Sequence, residues 1–174
     1  MKSLRHRIFG IMLCLCAFGA VAQESYTLSA GDEVSIVVFG EDDLTMDIKL
    51  NENGQINFPL LGAINASGMS VAELEATITR ELSGAYLVNP DVRVSVAEYR
   101  QVFINGEVNA PGGYDYKPGL TLDKAIALAG GLTDRASTRR MFVVRAAEAG
   151  SQEKLSLADP VGPGDTVTIQ EGFF

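Results

Sequence analysis

The 174-residue chain contains no tryptophan, a single histidine and two cysteines. His6, Cys14 and Cys16 all fall within the first 22 residues, and that stretch reads as a segment to be removed. Lys2, Arg5 and Arg7 form a basic start, Ile8 to Gly19 carries no charge, and Ala20-Val21-Ala22 supplies the small residues that a signal peptidase reads. The apolar run is too short for a bilayer, which needs roughly 20 residues, so cleavage after Ala22 is expected. Lipidation is not expected, because bulky Leu13 and Leu15 precede Cys14 and Cys16 where an acceptor cysteine needs a small neighbour.

The exported chain then lacks Cys, His and Trp altogether. That excludes a disulfide framework, thiol nucleophiles, Ser-His-Asp triads and zinc sites built on His or Cys. Loss of Lys2, Arg5 and Arg7 takes 14 basic and 22 acidic residues to 11 and 22, so residues 23–174 carry a net charge of −11. No nucleic-acid partner is expected, since such binders cluster Lys and Arg to displace counterions. No second apolar run approaches the length of a membrane span.

The patterns that are present divide the chain into two small units, 23–99 and 100–174, after the signal peptide at 1–22. In the first, Val34, Ile36 and Val38 alternate with Glu33, Ser35 and Val37, the period of a half-buried strand. Met46, Ile48 and Leu50 form a second alternating run, and Ile56, Phe58 and Leu60 a third. Asn53-Gly54 between those two runs predicts a hairpin, because both residues tolerate positive φ. Ser70 and Glu73 have the spacing of a capping box, followed by Val71, Leu74, Ile78 and Leu82 on one helix face. Gly84 ends that helix, and Val92, Val94 and Val96 begin another strand.

In the second unit, Val102 to Val108 reads as a strand and Ala110-Pro111-Gly112-Gly113 as a turn. Thr121 is placed to cap a short helix whose inner face is Leu122, Ala125, Ile126 and Ala129, stopped by Gly130-Gly131. Met141–Val144 and Thr166–Ile169 supply further strands. Strands around a single helix predict an α+β unit. One echo links the halves: Ala30-Gly31-Asp32-Glu33-Val34-Ser35-Ile36 matches Pro163-Gly164-Asp165-Thr166-Val167-Thr168-Ile169 at Gly, Asp, Val and Ile. A Gly-Asp turn feeding a strand accounts for it, glycine allowing the bend and aspartate bonding nearby amides.

Candidate chemistry is sparse. Glu41-Asp42-Asp43 is the densest acidic cluster; Glu41 or Asp43 could serve a glycosidase, but adjacent carboxylates point different ways and read better as a solvated loop. Lys49, Asn51, Asn53 and Gly54 fail as a calcium loop, because Lys49 and Leu60 stand where carboxylates belong. Tyr114 and Tyr116 are the candidate ligand-binding residues, a small platform for stacking on a sugar ring, with core packing or a subunit contact as the alternatives. Arg139-Arg140 could meet the carboxylates of a neighbouring copy. No catalytic, metal or cofactor residues are assigned.

Taken in order, these residues resemble the periplasmic polysaccharide export proteins of Gram-negative bacteria. The resemblance in the first half rests on Tyr26-Thr27-Leu28, Ala30-Gly31-Asp32, Val38-Phe39-Gly40-Glu41, Leu44, Asn53-Gly54-Gln55-Ile56, Phe58-Pro59-Leu60-Leu61-Gly62, Gly68 and Asn89-Pro90-Asp91-Val92. The second half looks like a soluble-ligand-binding β-grasp (SLBB) domain in Gly106-Glu107-Val108, Pro111-Gly112, Tyr114, Thr121-Leu122, Ala125-Ile126, Ala129-Gly130-Gly131 and Pro163-Gly164-Asp165.

The resemblance implies a small mixed-sheet export domain followed by a β-grasp domain. It also implies a non-enzymatic role in moving capsule or exopolysaccharide, without cofactors. Implied partners are other copies in a ring, an inner-membrane polysaccharide copolymerase or tyrosine kinase, and the polysaccharide itself. Larger relatives carry a C-terminal amphipathic helix that builds the outer-membrane pore. This chain ends at Gln170-Glu171-Gly172-Phe173-Phe174, so a separate outer-membrane β-barrel partner is expected, with the chain itself in the periplasm. The alternative is a monomeric soluble glycan-binding module of the periplasm.

Overall fold

A computed structural model describes residues 26–147 and 150–172, so the expected leader and its cleavage after Ala22 lie outside the described residues. The first half runs β1 (Glu33–Val38), β2 (Met46–Lys49), β3 (Gln55–Phe58), β4 (Gly62–Asn65), helix α1 (Val71–Leu82) and β5 (Val92–Glu98). β1 buries Val34, Ile36 and Val38 while Glu33, Ser35 and Val37 stay partly covered, as side chains on alternate faces must. It lies between β2 and β5, antiparallel to both.

The capping box at the start of α1 is present. Ser70 Oγ accepts the Glu73 amide at 3.3 Å, and the Glu73 carboxylate accepts the Ser70 amide at 2.7 Å. The Ser70 N–H first, and its hydroxyl second, hold the Glu73 carboxyl below the usual carboxylate range. Leu74, Ile78 and Leu82 are buried on the inner face. One turn in, Glu75 Oε2 accepts the Val94 amide at 3.0 Å. The helix thereby covers an edge of the sheet that would otherwise offer an unpaired N–H.

The expected hairpin at Asn53-Gly54 is corrected. A turn forms there, but β2 pairs with β1 and β3 pairs with β4. Gly54 has φ 70°, its carbonyl accepts the Ala66 and Ser67 amides, and an added Cβ would lie 2.3 Å from Ser67 Cβ. The turn is thus pinned to the far end of β4, which directs β3 into its own hairpin. Leu60, expected to continue the strand, sits at that hairpin's tip with φ 68° and is exposed.

The second half runs β6 (Val102–Gly106), β7 (Gly112–Tyr114), helix α2 (Leu122–Leu128), β8 (Ala136–Val144), β9 (Gln152–Lys154) and β10 (Thr166–Glu171). Its five strands form one mixed sheet in the order β7-β6-β10-β8-β9, with β6 and β10 parallel. Leu122, Ala125, Ile126 and Ala129 face the core. Thr121 occupies the N-cap position of α2, yet its hydroxyl donates to Asp123 instead of capping. The segment before β10 supplies what the cap does not: the Leu122 and Asp123 amides donate to the Asp159 and Leu157 carbonyls at 3.0 and 2.9 Å.

The strand expected over Val102–Val108 stops at Gly106. There φ is 87° and an added Cβ would lie 2.0 Å from the Ile169 carbonyl oxygen, so the chain turns where only glycine fits. The architecture is α+β, with separate cores in the two halves. One gathers β1 to β5 around Phe58, Leu74 and Ile78; the other gathers β6 to β10 around Leu122, Met141 and Ile169.

Candidate functional site

Asp32 and Asp165 are the buried charged residues among those described, at 0% and 3% exposure. Burial of a carboxylate is costly unless its oxygens are bonded, and both are. Asp32 Oδ2 accepts the Ser29 amide at 2.8 Å and the Tyr26 hydroxyl at 2.5 Å, while Oδ1 accepts the Arg100 amide at 3.0 Å. Asp165 Oδ2 accepts the Gly162 amide and Arg145 Nη1, each at 2.8 Å, while Oδ1 accepts the Ala146 amide at 3.1 Å. In each case the carboxylate takes the amide three residues before it and an amide just beyond the neighbouring antiparallel strand. An arginine beside that strand's end completes the set. The sequence echo is one structural device used twice.

The two devices meet. Arg100 runs between the glycines of both turns: a Cβ on Gly31 would lie 3.6 Å from its Cγ, and one on Gly164 would lie 3.2 Å from its Nε. Arg100 Nε stands 3.6 Å from Asp32 Oδ1, buried and without a hydrogen bond of its own. Beside this joint, Tyr26, Tyr99 and Tyr116 form an edge-to-face ladder with ring centroids 5.0 and 5.3 Å apart. Burial, then the hydrogen bond to Asp32 and that carboxylate's charge, push the Tyr26 phenol well above its ordinary range. Burial also raises the Tyr116 phenol. The joint holds the two halves together; its acids are bonded to the backbone and to arginines.

The sequence-level candidates fall elsewhere. Tyr114 lies on β7, partly buried against the second core, and its hydroxyl donates to the Ala110 carbonyl. Tyr116 packs against the same core and against Tyr99. Glu41, Asp42 and Asp43 are exposed around a 3-10 turn. Asn51 Oδ1 is committed to the Asn53 and Gln55 amides at 2.9 and 3.0 Å. Arg140 Nη1 donates to the Glu171 carbonyl at 3.0 Å, and Arg135 pairs with the Glu171 carboxylate. Among the described residues no group of three or more His, Cys, Asp or Glu could hold a metal ion, and no helix is long and apolar enough to cross a membrane.

Sequence reasoning missed Arg100 and the Tyr26–Tyr99–Tyr116 ladder. The available signal was the paired Gly-Asp turns, since a buried acid needs donors or a cation nearby, and Arg100 and Arg145 each follow a valine-rich run. It also missed a cleft of about 590 Å³ between α2 and the segment after β7. Pro118, Leu120, Ala127 and Leu128 give its apolar lining, with Tyr114, Asp115, Lys117 and Lys124 beside them.

Comparison with known proteins agrees with this two-part build. Residues 20–97 match the family described as Polysaccharide biosynthesis/export protein, and residues 101–156 match the SLBB domain. The exopolysaccharide production protein ExoF of Rhizobium meliloti (strain 1021) is 31% identical over 115 residues, 65% of this chain and 27% of that protein. The EPS I polysaccharide export outer membrane protein EpsA of Ralstonia nicotianae (strain ATCC BAA-1114 / GMI1000) is 30% identical over 135 residues, 75% of this chain and 34% of the relative. The polysialic acid transport protein KpsD of Escherichia coli is 26% identical over 103 residues, 58% and 18% of the two chains. The matches thus span about a third or less of each relative's length. The export-family match followed by the SLBB match, in that order along the chain, places it in the polysaccharide biosynthesis/export protein family.

Proposed function

We propose that this chain is a periplasmic, non-enzymatic subunit of a machine that exports capsule or exopolysaccharide. Copies assemble into a ring or adaptor that guides the glycan toward an outer-membrane pore. The observation that carries this reading is the succession of an export domain and an SLBB domain, with relatives whose names specify polysaccharide export or transport. The joint supports it: a buried carboxylate and an aromatic ladder tie the two halves together at one place, as a wall element requires. The inner-membrane partner is a polysaccharide copolymerase or tyrosine kinase. The net charge of −11 for residues 23–174 disfavours adhesion of an anionic polymer during passage.

Deletion of the gene tests the reading. The expected result is loss of surface polymer with retention of glycan in the periplasm. Normal surface polymer in a null strain without a second copy of the gene overturns it.

A second reading, a monomeric glycan-binding module, is favoured by the cleft beside Tyr114, with Tyr116 close by. It requires saturable binding of a soluble oligosaccharide by a protein that sediments as a monomer. Weak or absent binding combined with self-association excludes it.

A further inference from the structure

At the far end of β1 the chain presents an acidic and apolar knob. Phe39 is 59% exposed, and Glu41, Asp42 and Asp43 follow it into solvent. The Phe39 amide donates to the Asp91 carbonyl at 2.9 Å, which brings this loop beside the segment carrying exposed Tyr86 and Val88, the latter 91% exposed. None of the three carboxylates after Phe39 is paired with a cation among the described residues.

The cleft beside α2 has the complementary chemistry. Its apolar lining includes Leu128, 52% exposed, and Pro118, with the ammonium groups of Lys117 and Lys124 at the side. Lys117 makes no ion pair among the described residues, and Lys124 Nζ donates to the Gly119 carbonyl at 2.9 Å. The carboxylates nearby are already engaged, Asp115 by Gln101 Nε2 at 3.2 Å and Asp123 by the Thr121 hydroxyl.

The knob of one molecule is far from its own cleft. Lys117 and Pro118 share a recess with Ala97 and Glu98, and Glu98 pairs with Glu33 at the start of β1. The knob follows the other end, five residues on, about 17 Å at strand rise. A knob and a complementary pocket on different parts of one surface make a head-to-tail contact between copies.

We infer that the Phe39–Asp43 loop of one copy docks into the cleft of a second copy, with Phe39 against Leu128 and Pro118 and the carboxylates against Lys117 and Lys124. This rests on the assembly proposed above and names its interface. Exposed apolar groups gain by leaving water, and opposite charges fix the register.

Charge reversal on each side, K117E/K124E and D42K/D43K, tests it in the purified protein by analytical ultracentrifugation. All four side chains are exposed, and circular dichroism with a melting curve checks that each variant folds. Each variant alone is expected to self-associate at least about tenfold more weakly than the unaltered chain. Mixing the two restores association, because every contact in an alternating assembly then joins opposite charges. Self-association of either variant at the unaltered strength overturns the interface while leaving the assembly reading intact. Failure of the mixture to recover also overturns it. So does unchanged association of K117E/K124E together with lost binding of an acidic oligosaccharide, which assigns the cleft to glycan. A strict monomer of the unaltered chain, at concentrations on the order of 100 μM, ends both proposals.

Discussion

Asp32 accepts three hydrogen bonds, from the turn, the first residue of the following domain and a phenol. Truncation at that position strands three donors and the Arg100 guanidinium together. Asp32→Ala is therefore expected to lose about 3 kcal/mol, the lower end for breaking a buried pair, because the Arg100 side chain keeps 22% exposure and Nε stands 3.6 Å away. A urea titration checks this through a lowered midpoint at unchanged slope. Tyr26 gives a pH signature at the same place. Its folded phenol ionises at higher pH than an unfolded one, first through burial and then through Asp32. The unfolded state therefore loses the proton first, so this contribution is complete below about pH 10 and falls away as pH rises above it. Tyr26→Phe is expected to flatten part of the alkaline fall in stability; an identical alkaline limb in the variant contradicts that assignment.

At the scale of elements, glycine identity separates positions that look alike in the sequence. Gly106 ends β6 with φ 87° and faces backbone, the Ile169 carbonyl, 2.0 Å from where a Cβ would stand. Gly112 begins β7 with open space around it. Gly106→Ala is expected to cost at least about 2 kcal/mol from backbone strain and overpacking, and Gly112→Ala within about 0.5 kcal/mol; thermal melts of the two variants check the contrast. The same distinction explains what the sequence could and could not reveal. The β1 alternation, the Ser70–Glu73 box and both helix faces are local patterns, and the structure follows them. The fate of the Asn53-Gly54 turn depends on Ser67, and the start of α2 depends on carbonyls at Leu157 and Asp159. Those partners are remote in sequence, so a reading by spacing assigns a hairpin and a threonine cap that tertiary contacts replace. Arg100 was hidden for a related reason: its role exists only once both Gly-Asp turns are brought to it.

For the whole molecule the question is whether two small cores behave as one body. Domains of this size bury too little surface to be comfortably stable alone, and here each borrows from the other at one place. The Arg100 amide closes the first domain's turn, the Arg100 side chain lies against the second domain's Gly164, and Tyr99 touches a ring from each side. Each edge-to-face pair adds about 0.5–1.5 kcal/mol beyond its buried area, and pulling the halves apart would leave the buried Asp32 carboxylate without the Arg100 amide. Coupling of that size is a large share of a small domain's total stability, so calorimetry of the unaltered chain is expected to give one transition with equal calorimetric and van 't Hoff enthalpies. Tyr99→Ala combined with Arg100→Ala removes the ladder and the guanidinium while leaving both cores intact, and two separate transitions are then expected. A chain that already melts in two steps has halves that are merely tethered. That result removes the stiffness on which a wall element depends, because a subunit that flexes at residues 99–101 cannot hold a fixed angle between one neighbour and the next.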